Sequence, residues 1–149
     1  MKITGVAPQI AILTFLYMFL VIIIDYSTIP FFNITNSYYP TFPILGIILI
    51  LIGIIMIFNV AKKLRKSFIS NILMTDGLYR IFRNPMYVAY LIFIIPGICF
   101  FFNSWLVFTS IIINFILFQI FIQKEYKYLA NRYGEEYKIY LSRVWIKFL

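Results

Sequence analysis

"YVAYLIFIIPGICFFFNSWLVFTSIIINFILFQIFI", Tyr87 to Ile122, runs without a single Asp, Glu, Lys or Arg. A helix needs about 20 apolar residues to cross a hydrocarbon core of about 30 Å. The stretch holds two apolar runs, Tyr87–Phe102 and Ser104–Ile122, with a polar break at Asn103-Ser104. The break predicts a chain reversal, and so a tight helical hairpin of two membrane spans. The first run is the shorter and contains Pro96-Gly97.

Toward the N-terminus lie two more apolar runs, Pro8–Ile24 and Phe42–Ala61. The first follows Lys2 and has the look of a signal peptide, but no small-residue cleavage site comes after it. Asp25-Tyr26-Ser27 and an aromatic, Pro-containing loop through Pro43 follow instead, which predicts a retained helix. Gly46 and Gly53 share a face of the second run, a spacing that allows close helix contact, though ordinary packing is the expected reading.

Of the 149 residues, 63% are hydrophobic and only 12% charged, where a soluble domain has about a quarter charged. The expected fold is an all-α integral membrane protein in a single domain, residues 1–149, with four transmembrane helices. All thirteen Lys and Arg fall on one side of that arrangement: Lys2, the run from Lys62 to Arg83, and Lys124 onward. The excess of cations places both termini and the second loop in the cytoplasm. The net charge of +8 is thus a topology signal and an anionic-lipid contact, and nucleic acid is not an expected partner.

There is no histidine and one cysteine, Cys99, inside an apolar run. This excludes a Ser-His-Asp triad, an imidazole proton shuttle, a His-ligated metal and a disulfide framework, and no metal site is expected. Chemistry must come from carboxylates, arginines, tyrosines, backbone groups or a bound cofactor.

The tail from Glu125 to Val144 has apolar or aromatic residues at Tyr126, Leu129, Ala130, Tyr133, Tyr137, Leu141 and Val144. Steps of three and four predict a cytoplasmic amphipathic C-terminal helix, interrupted at Gly134 and folded back over the ends of the spans. Of the five acids, Asp76 precedes a glycine and reads as a turn residue, and Glu135 and Glu136 as solvated. Glu125 stands out: it lies where the fourth span ends, at a membrane boundary and at what reads as a helix C-terminus, where the dipole disfavours an anion. A simple pairing with the neighbouring Lys124 is the plain alternative.

"GLYRIFRNPMY", Gly77 to Tyr87, is crowded for a connecting loop. Asn84-Pro85 fits a helix start, with Asn at the cap and Pro at the first helical position. The hairpin brings Glu125 back to the membrane face of Asn84. A carboxylate, arginines, free helix N–H groups and aromatic walls would then converge, a set that suits a cofactor with an amino acid end and an aromatic base.

The two segments "TDGLYRIFRNPMY" and "EYKYLANRYGEEYKIY" resemble the isoprenylcysteine carboxyl methyltransferase and phospholipid methyltransferase superfamily over about Ser70 to Val144. Members carry G-x-Y-x-x-x-R-[HN]-P-x-Y before a helical hairpin and E-E-x-x-L-x-x-x-[FY]-G-x-x-Y-x-x-Y after it. Gly77, Tyr79, Arg83, Asn84, Pro85 and Tyr87 fill the first pattern; Glu125, Leu129, Tyr133, Gly134, Tyr137 and Tyr140 fill the second. The resemblance implies a multi-pass enzyme that uses S-adenosyl-L-methionine, with its pocket at the cytoplasmic face in the region 70–144 and an acceptor entering from the bilayer. It implies cofactor contacts from Asn71, Ile72, Leu73, Met74, Tyr79, Asn84, Pro85, Met86, Tyr87 and Glu125, the last for the cofactor's amino group. Arg83 and Glu125 are the candidate catalytic residues.

Three positions depart from the family pattern: Asn84 replaces the commoner His, Tyr126 a second Glu, and Phe121 an arginine that holds a substrate carboxylate. Phe121 is therefore the candidate substrate contact, and the expected acceptor is an amine, thiol or other lipid-like or small hydrophobic group. Membrane lipids are the remaining expected partners, and the expected location is the plasma membrane of a prokaryote. Two other readings fit less of the chain: a catalytically silent lipid- or partner-binding protein on the same scaffold, and a nicotinamide-dependent reductase, whose fold needs more spans.

Overall fold

A computed structural model describes residues 6–28, 31–34, 41–70 and 72–147, apart from the Phe68 side chain. Its elements are α1 (Ala7–Ser27), α2 (Thr41–Ser70), α3 (Leu78–Ile81), α4 (Pro85–Val88), a π-helical turn (Ala89–Ile94), α5 (Ile95–Phe102) and α6 (Trp105–Arg143). Among the described residues four stretches are long and apolar enough to cross a membrane: α1, Thr41–Ser67 of α2, the continuous span Pro85–Phe102, and α6. Their outer faces carry large apolar side chains such as Phe19, Phe58 and Ile112, each more than half exposed. Such a surface is stable in lipid and would aggregate in water.

At 30 and 39 residues, α2 and α6 overshoot the bilayer; at 1.5 Å per residue they measure about 45 and 60 Å. Both overshoots lie at the basic end. Gly134, at φ 51° and ψ −118°, breaks α6 into a long piece and a short one, Glu135–Arg143. That left-handed backbone favours glycine. The expected interruption at this position is therefore present.

The order of packing is α2, third span, α6, α1. Between α2 and α5 the backbones touch. A Cβ built on Gly46 would stand 2.5 Å from the Gly97 carbonyl oxygen, and one on Gly97 2.8 Å from that of Gly46. Lipid offers no hydrophobic drive for helices to associate, so such close van der Waals contact is what holds them. The expectation of ordinary packing is corrected: Gly46 and Gly53 are sites of close helix contact, Gly53 taking the Ile94 side chain. The π-helical turn is explained by Pro96, which lacks an N–H and whose ring would clash with the carbonyl four residues earlier. The chain widens ahead of it, and the Ile95 N–H donates to the Tyr90 oxygen five residues back.

α1 and α6 run antiparallel and share polar contacts along their whole length. The Val6 N–H donates to Glu125 Oε2 at 3.3 Å, and Asn114 Nδ2 to Thr14 Oγ1 at 2.9 Å. Tyr17 and Thr109 share a hydroxyl–hydroxyl bond of 2.8 Å. Ser104 Oγ donates to Asp25 Oδ1 at 2.8 Å, both residues being buried. The hairpin reverses at Asn103, a left-handed residue at φ 52°. Its exposed backbone is covered by the α1–α2 connection: Ile34 N–H bonds the Asn103 oxygen at 2.9 Å and Trp105 N–H the Phe32 oxygen at 3.0 Å.

Gly46→Ala should push α2 off α5 and cost about 1–3 kcal/mol, seen as a lower midpoint of thermal unfolding in detergent. An unchanged midpoint would contradict the backbone contact.

Candidate functional site at the basic end

The crowded stretch and the tail meet at the basic end. Gly77 opens it at φ +64°, where a Cβ would also lie 2.8 Å from Lys63 Nζ. α3 makes one turn, then Phe82 extends and pairs with the far C-terminal segment: Arg83 N–H donates to the Ile146 oxygen at 3.0 Å, and Ile146 N–H to the Ile81 oxygen at 2.8 Å. The far C-terminal segment thereby lies against this loop.

Asn84 and Pro85 start the third span as expected, yet the Asn84 side chain does not cap it. Its Nδ2 donates instead to Tyr126 Oη at 2.6 Å. Arg83 donates from Nε and Nη2 to Tyr137 Oη at 3.2 and 2.6 Å, and its guanidinium carbon stands 3.2 Å from the centre of the Tyr126 ring. Among the described residues the ion pair found is Lys138–Glu135, on the surface; the Arg83 charge rests on aromatic faces and a phenol oxygen. Tyr140 Oη donates to the Tyr79 carbonyl at 2.9 Å. Burial, with Glu125 and Tyr140 nearby, raises the Tyr79 phenol well above its ordinary range, so it stays protonated.

Glu125 is half-buried and does not sit at a helix C-terminus, because α6 continues past it. That sequence expectation is corrected, and so is the pairing with Lys124: the observed partner is the Val6 N–H. The first turn of α1 brings Val6, Ala7 and Ile10 into one apolar cluster with Tyr87, Phe118 and Ile122, and Met86, Phe121 and Tyr126 pack against it. Glu125 and Tyr126 follow Ile122 by three and four residues, which keeps them on the same helix face. The Tyr87 ring lies 4.6 Å from that of Phe118. Among the described residues its buried hydroxyl has no hydrogen-bond partner, an arrangement that costs free energy unless a ligand completes it.

The remaining candidates are dispersed. Asn71 lies outside the described residues. Ile72 is exposed, Met74 is half-buried, and Leu73 is buried with Tyr137, Tyr140 and Val144 in a separate apolar cluster. Pro85 is buried in the helix start. Phe121 carries the Lys124 Nζ at 5.9 Å from its ring centre, so a cation does stand beside it. Sequence reasoning missed Val6, and it treated Tyr126 as a lost carboxylate when the phenol is the hub for Asn84 and Arg83. The adjacency of Tyr126 to Glu125 was the available signal.

Arg83→Lys should lose the paired donors and the stacking surface together. Amide exchange in 137–147 is then expected to quicken about tenfold, for a loss near 1.4 kcal/mol; unchanged protection would show that Arg83 does not hold the tail.

Residues 41–136 match the family described as phospholipid methyltransferase. The match takes in the 77–87 stretch, the hairpin and Glu125, and leaves α1 outside. No curated protein and no solved structure matches the chain. With the match covering well over half its length and four helices fit to span a bilayer, the chain belongs to the phospholipid methyltransferase family of integral membrane methyltransferases.

Proposed function

We propose that the protein transfers a methyl group from S-adenosylmethionine to a lipid-like or small hydrophobic acceptor at the cytoplasmic membrane face. The observation that carries this reading is the joining of two distant segments, Gly77–Tyr87 and Glu125–Tyr140, through Asn84 to Tyr126, Arg83 to Tyr137 and Tyr140 to Tyr79. The joined segments surround the kinds of group that an amphoteric cofactor requires.

The residues present fit it. Glu125 offers a carboxylate for an ammonium, the buried Tyr87 hydroxyl offers an unused donor or acceptor, and Tyr79, Tyr126 and Met86 offer apolar and aromatic surface for a base. Asn84, locked on Tyr126, supports the wall. Once bound, the sulfonium would supply an electrophilic methyl group and leave as a neutral thioether. Displacement of that kind needs alignment and exclusion of water more than a strong acid or base. Arg83, committed to Tyr137 and Tyr126, holds the two segments in register. With Glu125 engaged by the Val6 N–H and the ammonium, a proton lost from an amine or thiol acceptor passes to water at the membrane face. Phe121 gives the acceptor an apolar contact, and Lys124 stands beside it for an anionic headgroup.

A second reading, a silent scaffold, draws on one observation: Arg83 and Glu125 both already serve intramolecular contacts. Calorimetry on detergent-purified protein separates the two. Wild-type protein should bind S-adenosylmethionine and S-adenosylhomocysteine, and Glu125→Ala should weaken both by about tenfold or more, with Asn84→Ala weakening them too. A folded sample that binds neither would leave the scaffold.

A further inference from the structure

The family match begins at residue 41, yet α1, wholly before it, reaches into the site. Three observations meet there. The Val6 N–H donates to Glu125 Oε2 at 3.3 Å. Val6, Ala7 and Ile10 are buried in one cluster with Tyr87, Phe118 and Ile122, and the Tyr87 hydroxyl has no hydrogen-bond partner among the described residues. Further along, Thr14, Tyr17 and Asp25 bond Asn114, Thr109 and Ser104, so the register of α1 on α6 is fixed independently of Val6. A backbone N–H delivered by a helix that is already anchored restrains its acceptor without ordering a further side chain.

We propose that the first turn of α1 is a working part of the site, with Val6 as a positioning residue that holds one oxygen of Glu125 and leaves the other for the amino group of the methyl donor. This rests on the methyltransferase reading above. The start of α1 also adds favourable electrostatics, since a carboxylate at a helix N-terminus meets the positive end of the dipole. Without it, Glu125 would have to choose its orientation among phenols and lipid.

The test uses the full chain in lipid nanodiscs and two ligands: S-adenosylhomocysteine, and 5′-methylthioadenosine, which keeps the nucleoside and thioether but lacks the amino acid end. Val6→Pro removes the N–H, while Val6→Ala keeps it. Val6→Pro should weaken S-adenosylhomocysteine about tenfold, the worth of a hydrogen bond to a charged group, and leave methylthioadenosine unchanged; Val6→Ala, which keeps the N–H and trims only buried apolar surface, should weaken S-adenosylhomocysteine no more than Ile10→Ala does. Glu125→Gln should show the same selective loss, and the double variant should lose no more than the worse single one. Ile10→Ala loosens the same turn without touching the carboxylate, and should give a weaker form of the same selectivity. Equal losses for both ligands, no loss, or additive losses in the double variant would overturn the positioning role while leaving the methyltransferase reading in place. Wild-type protein that binds neither ligand would overturn both.

Discussion

Glu125, on α6 just past its apolar stretch, accepts the N–H at the start of α1; Asp25, near the end of α1, accepts the Ser104 hydroxyl at the start of α6. Each of two antiparallel helices thus lends a carboxylate to the N-terminus of the other. An acid near a hydrocarbon boundary is costly, and both costs are offset here by hydrogen bonding and by the favourable end of a helix dipole. Between the two ends, Asn114–Thr14 and Tyr17–Thr109 fix the register in the apolar interior, where an unpaired polar group would be expensive. The remainder of the bundle is arranged about this pair. The third span lies against α6, and α2 lies against the third span through the Gly46–Gly97 backbone contact.

That frame leaves the basic end to be finished by side chains. The loop from Gly77 to Asn84 has little regular structure of its own, and it is held by the tail through Arg83, Tyr137, Tyr140 and the short pairing with Ile146. Tyr126 is central: it accepts from Asn84 and lies under the Arg83 guanidinium. A glutamate at this position would meet Arg83 as an ion pair. A tyrosine meets it by stacking and adds no second charge beside Arg83.

Much of this was legible in the sequence. The four spans, the reversal at Asn103, the gathering of cations at one end and the meeting of the two motif segments all follow from apolar run length and charge position, and those are strong signals in a membrane chain. Less could be read at the site itself. The Val6–Glu125 bond joins residues far apart in the chain through a backbone N–H, which has no residue signature. Asn84 reads as a cap from its position before Pro85, but a tertiary partner, Tyr126, takes its side chain. Leu73 and Met74 sit in one short loop, yet Leu73 is drawn into the Tyr137–Tyr140 cluster by its own burial. Hydrophobic pattern fixes where a helix runs; it does not say which polar partner a side chain will find at the helix's end.

The most direct measurement is transfer itself. Purified protein in nanodiscs made from a natural lipid extract is incubated with methyl-labelled S-adenosylmethionine, and the organic phase is assayed for label. The account predicts labelled lipid that is lost in Glu125→Gln. A folded wild-type protein that binds the methyl donor but labels no lipid would contradict the lipid-like acceptor, and one that neither binds nor labels would contradict the enzyme.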